Sequence, residues 1–133
     1  MELFPGRKIR IQSSPVAGLG VFATADISKD ELIEECSFLT LPLKPFDSSP
    51  LFIDYRFNYP AGPVTANSSQ VIVLGAASLY NHKDDASAYW ITDLDRKTFK
   101  FYASKPIKAG EEIFVYYGDV NYWKDGRNNT VIK

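Results

Sequence analysis

The chain reads as a mostly β protein built from short strands, and three observations carry that reading. In Thr98-Phe99-Lys100-Phe101-Tyr102-Ala103, Phe99 and Phe101 share one face and Thr98 and Lys100 the other, the alternation of a sheet covered on one side. Residues 107–118 open with a turn at Ala109-Gly110 and continue as a β-branched and aromatic run that ends on Tyr117-Gly118. No stretch spaces its apolar residues as a long amphipathic helix would, and there is no internal repeat or low-complexity tract.

Taken in order, residues 8–12 alternate polar and apolar side chains and predict a half-buried strand. Val21-Phe22-Ala23 follows as a strand after the glycine turn at Gly18-Leu19-Gly20. Residues 31–41 carry Leu32, Ile33, Cys36, Phe38 and Leu39 and predict a strand with a break. From 42 to 70 the texture changes. Pro42, Pro45, Pro50, Pro60 and Pro63 fall here, which predicts an irregular insert with one helical turn at 51–57. Residues 71–80 form a buried run with small side chains at Gly75, Ala76, Ala77 and Ser78. Strands at 88–92 and 98–103 flank a turn at 93–96, and 113–117 is the last strand. The polar tail 124–133 is expected to be loose at its end.

A length of 133 residues, with 45% hydrophobic and 14% aromatic side chains, predicts a single globular domain, its core spanning about 9–123. Net charge is −1 and the basic residues are scattered, so no concentrated cationic surface is available for nucleic acid phosphates. A basic peptide remains an acceptable partner. No apolar run reaches the ~18–20 residues of a membrane helix, and the first residues lack a signal-peptide layout, so a cytoplasmic protein is expected, with secretion into a host or a nuclear site left open. The lone Cys36 excludes an internal disulfide and reads as a buried small hydrophobe. With one histidine, His82, neither a zinc site nor a Ser-His-Asp system is expected. Gly18-Leu19-Gly20 lacks the third glycine and the helix of a phosphate-binding loop.

Three segments, in order, resemble the core of SET-domain protein-lysine methyltransferases: Gly18-Leu19-Gly20-Val21-Phe22-Ala23, then Asn81-His82, then Gly110-Glu111-Glu112-Ile113-Phe114-Val115-Tyr116-Tyr117-Gly118. The likeness is greatest to the small viral and bacterial proteins that consist of little else. It implies the SET (β-clip) fold of several short-stranded sheets, few short helices and a knot-like C-terminal threading. It also implies transfer of a methyl group from S-adenosyl-L-methionine to a lysine of a protein or peptide substrate, histone or otherwise, with no metal required.

The resemblance assigns roles. Tyr117 is the expected catalytic tyrosine, orienting the amine and, with nearby carbonyl oxygens, holding the methyl by C–H···O contacts. The cofactor would be held by Ala17, Gly18, Leu19 and Gly20, by Asn81 and His82, and by Tyr117 and Trp123. The Asn81 side chain would fix either the methionine part of the cofactor or the local knot. Tyr80, Tyr89, Trp90 and Tyr122 are expected to line the lysine channel, although Tyr89 and Trp90 would look the same in an ordinary hydrophobic strand. Tyr122-Trp123 would close the sites where larger relatives use a zinc segment, or pin the tail to the core. Tyr116 reads as packing. An aromatic, histidine-poor site suits this chemistry, because desolvation favours the neutral lysine that must attack.

The sequence departs from the family pattern Asn-His-Ser-x-x-Pro-Asn at Lys83, Ala86 and Ser87, and Leu19 replaces an aromatic or arginine. These departures bear on cofactor affinity, and they leave a second expectation, a SET-like binding module with weak or no catalysis. A homodimer is a further expectation, since a small domain gains from burying a sheet face.

Overall fold

The computed structural model describes residues 1–40, 55–62 and 66–117. Its ten strands are β1 (Ile9–Ser13), β2 (Leu19–Ala23), β3 (Leu32–Cys36), β4 (Phe38–Thr40), β5 (Arg56–Tyr59), β6 (Ser69–Val73), β7 (Asn81–His82), β8 (Ala88–Asp93), β9 (Thr98–Ala103) and β10 (Glu112–Val115). They form three small sheets ordered β1-β2-β10-β7, β3-β9-β8 and β4-β6-β5. One 3-10 turn, Ala77–Leu79, leads into β7. This is the mostly β architecture that the alternating segments predict.

The break expected within 31–41 falls at Ser37, between β3 and β4. The helical turn expected at 51–57 lies mostly outside the described residues; Tyr55 is helical, and from Arg56 the chain is strand instead. Arg56–Tyr59 pairs antiparallel with β6, so this part of the insert is not irregular. Phe57 explains why: its ring sits edge-on to Trp90 (centroids 5.1 Å apart) and Phe99 (5.6 Å), so pairing buries an aromatic side chain.

The sheets meet over one core that includes Val21, Ile33, Val71, Tyr80, Phe99, Phe101, Ile113 and Val115. Phe99 and Phe101 are fully buried as their alternation requires, but Thr98 is buried too. The second face of β9 is therefore covered at its start. The cover is ionic: the Thr98 hydroxyl donates to Glu35 Oε2 at 2.7 Å, and Arg96 donates to the same carboxylate at 2.6 and 2.9 Å. Phe4 N and Arg96 to the Glu2 carbonyl tie the N-terminal segment onto this cluster.

The decisive feature for function is β10. It pairs antiparallel with β2 through Glu112↔Phe22 and Ile113↔Val21, and parallel with β7 through Phe114↔Asn81 and Val115↔His82. All three sequence motifs thereby become neighbours in one sheet. The knot-like threading expected of the C-terminal segment falls on residues 118–133, outside those described.

Candidate active site

Where β10 ends, Tyr117 turns back onto β7. Its hydroxyl donates to the Tyr80 carbonyl oxygen at 2.7 Å, and its backbone N–H donates to His82 Nδ1 at 2.9 Å. Because Nδ1 accepts, the neutral ring carries its proton on Nε2, which faces Asp84 Oδ1 at 2.9 Å. The His82 and Tyr117 rings lie 5.3 Å apart, tilted at 49°. A phenol oxygen and a carbonyl oxygen are thus held side by side at the edge of the sheet.

Asn81 is 2% exposed and acts as a structural clasp. Its Nδ2 donates to the Ala17 and Leu19 carbonyls, both at 3.2 Å, and to Glu112 Oε2 at 2.8 Å. The side chain thereby ties the loop 17–19 to β10. Ser14 completes the network, its hydroxyl 2.8 and 3.0 Å from the Glu112 oxygens. The loop 17–19 can bend back to this clasp because Gly18 sits at φ 44°, a conformation open to glycine.

Gly20 has a different reason. A Cβ there would collide with the Glu112 carboxylate, so the glycine makes room for the clasp. Ala17 and Leu19 present the loop at the surface beside Asn81, with Leu19 45% exposed.

Tyr80, expected in the lysine channel, is fully buried. Its ring stacks on Phe101 at 5.0 Å and its hydroxyl donates to Glu34 Oε1 at 2.9 Å. The side chain belongs to the core because a 3-10 turn, not a strand, precedes it and aims it inward. Its carbonyl is what reaches the site. Tyr89 and Trp90 do border a cleft of about 150 Å³ with Ala88 and Tyr116, beside the His82–Tyr117 pair. Tyr116, read as packing, is 47% exposed on this cleft, its ring 5.1 Å from His82. Trp90 also packs on Phe57 and Phe101, so it serves both cleft and core. Tyr122 and Trp123 lie outside the described residues.

The departures after His82 prove self-consistent. Ser87 Oγ accepts from Phe114 N at 3.1 Å while Ser87 N donates to the Phe114 carbonyl at 3.0 Å, so serine holds the loop to β10. Lys83 rests over the Phe114 ring at 5.3 Å, a cation–π contact. Three participants were not assigned from sequence: Glu112, which stands within the Gly-Glu-Glu motif, and Ser14 and Glu34, which carry no local signal.

The comparisons agree with this geometry. The SET-domain family profile matches residues 18–118. Over 118 residues, 88% of this chain and 78% of the relative, the sequence is 25% identical to a histone-lysine N-methyltransferase of Schizosaccharomyces pombe specific for H3 lysine-37. A crystal structure of a candidate histone methyltransferase from Plasmodium falciparum superposes with a TM-score of 0.66 at 29% identity, covering 84% of this chain and 93% of that one. With three-quarters of its length inside the matched region and the three motif segments joined in one sheet, this chain belongs to the SET-domain family.

Proposed function

We propose that this chain is a protein-lysine methyltransferase that uses S-adenosyl-L-methionine. The observation that carries the reading is the Tyr117 hydroxyl held 2.7 Å from the Tyr80 carbonyl, next to the Asn81-His82 strand. Two adjacent oxygens suit a methyl group carrying partial positive charge, which each can hold by a C–H···O contact. The exposed loop 17–19 and the end of β7 are main-chain surfaces that suit the methionine and adenine portions of the cofactor. Bound there, S-adenosyl-L-methionine supplies an electrophilic methyl group with a neutral sulfide as leaving group.

The chain's own part is positioning. His82 fixes the Tyr117 backbone, the Tyr80 carbonyl fixes its hydroxyl, and Asn81 with Glu112 fixes the loop 17–19. The aromatic cleft of Tyr89, Trp90 and Tyr116 is the entry for a lysine side chain. Its low polarity favours the uncharged amine, of which only about one in a thousand exists in water at neutral pH. The substrate class is a protein or peptide with an exposed lysine, in keeping with the named activities of the relatives.

Calorimetric titration with S-adenosyl-L-methionine and its demethylated product, together with transfer to histone and ribosomal peptides read by mass, tests the proposal. Micromolar binding with a gain of one methyl mass supports it. Binding without transfer to any basic protein would favour a non-catalytic SET-like module, and no binding would refute the methyltransferase reading.

A further inference from the structure

Beneath the candidate site lies a buried carboxylate that the reaction does not touch. Glu34, on β3, is 5% exposed. A β-bulge between Leu32 and Glu34 shifts the register against β9, so that four successive residues, Ile33 to Cys36, are all buried. Glu34 faces Tyr80 and the turn at Gly75-Ala76, whereas Glu35 points the other way to Arg96 and Thr98.

Glu34 Oε1 accepts from the Tyr80 hydroxyl at 2.9 Å and Oε2 from Ala76 N at 3.4 Å. Gly75 makes the approach possible. It sits at φ 78°, and a Cβ there would lie 3.1 Å from Glu34 Oε2 and 3.2 Å from Cys36 Sγ. A carboxylate at such a place is costly, and a leucine–phenylalanine pair of similar volume would pack without that cost. What the pair provides is direction. It pins the ring tip of Tyr80 to β3, while the carbonyl at the other end of the residue accepts from Tyr117.

We propose that Glu34 is a positioning residue for the Tyr117 hydroxyl, acting through Tyr80. The inference rests on the methyltransferase reading above. The Tyr80 ring, stacked on Phe101 and tethered to Glu34, cannot slide along the core. The Tyr80 carbonyl, the acceptor of the Tyr117 hydroxyl, is therefore set by a side chain on a different sheet. A misplaced oxygen at a reacting centre lowers turnover without weakening substrate binding.

The test compares Tyr80→Phe combined with Glu34→Leu, Tyr80→Phe alone, and Glu34→Gln. The double variant removes the Tyr80 hydroxyl together with its acceptor, so neither is left buried without the other, and it gives up the longer Ala76 N–H contact. Its expected kcat is about tenfold below wild type, with KM for peptide and cofactor within about twofold. Glu34→Gln keeps an acceptor for the Tyr80 hydroxyl and is expected to retain most of kcat. Wild-type kcat in the double variant overturns the proposal. Should the double variant not fold, Tyr80→Phe decides by the same two outcomes.

Absence of transfer by the wild type would instead be a failure of the functional reading. Amide hydrogen exchange then decides the positioning claim without turnover. Protection of the Tyr117 amide is expected to fall about tenfold in the folded Tyr80→Phe variant, while Phe99 and Phe101 stay protected. Unchanged protection at Tyr117 would overturn the proposal.

Discussion

At Gly75 a single missing side chain decides whether a carboxylate can be buried. Gly75→Ala would place a methyl group against Glu34 Oε2 and Cys36 Sγ while forcing alanine to φ 78°. The expected loss of stability is about 2 kcal/mol, read by denaturant unfolding, because strain and crowding act together. Tyr117, Asn81 and His82 stand out in the sequence because they lie in the segments that resemble the family pattern, and the structure brings them together. Glu34 does not. In a strand pattern an acid reads as solvent-facing, and nothing local marks the bulge that turns it inward. Tyr80 was misjudged for a related reason: adjacency to Asn81 says nothing about which way a ring points when a 3-10 turn precedes it.

At the scale of elements, β3 and the β8–β9 hairpin hold one another through Glu35, Arg96 and Thr98. The Glu35 side chain is 3% exposed, and the Arg96 guanidinium beside it lowers its carboxyl from 4.5 to about 2. Replacing Arg96 by leucine leaves that carboxylate with only Thr98 and Phe4 N, and the expected loss is about 2 kcal/mol. Equilibrium unfolding of Arg96→Leu checks this, with the exposed Lys105→Ala (which loses only the surface pair with Asp85) expected within about 0.5 kcal/mol of wild type. Alternation locates β9, which buries Phe99 and Phe101, and also β1, although there the expected half-burial fails, since Ile11 is 45% exposed. β5 was missed because prolines on either side suggest irregularity, while its pairing depends on Phe57 reaching Trp90 and Phe99 across two sheets.

At the scale of the whole molecule, the two neighbouring carboxylates give stability an opposing pH dependence. The Glu35 carboxyl is lowered in the folded state, so its contribution is full above about pH 4.5 and is lost as pH falls toward about 2. Glu34 is raised by burial, with the Tyr80 hydrogen bond opposing that shift. The folded state therefore binds more protons than the unfolded state at this group, and its contribution weakens as pH rises above 4.5. Thermal unfolding across pH should show stability lost through Glu35 as pH falls below about 4.5 and through Glu34 as pH rises above it. Glu34→Gln should remove the decline on the alkaline side, and Glu35→Gln should remove much of the loss in acid. A wild-type profile flat from pH 3 to pH 7 would contradict both assignments.

The Tyr117 hydroxyl is the group on which the functional account depends most. Tyr117→Phe keeps the ring beside His82 and removes the hydroxyl that donates to the Tyr80 carbonyl. Single-turnover methyl transfer to a histone peptide, read by mass, measures it directly, with Tyr59→Phe in the distant aromatic cluster as control. The account predicts cofactor affinity close to wild type and transfer about 100-fold to 1,000-fold slower for Tyr117→Phe, against a near-normal rate for the control. Wild-type transfer by Tyr117→Phe would contradict it.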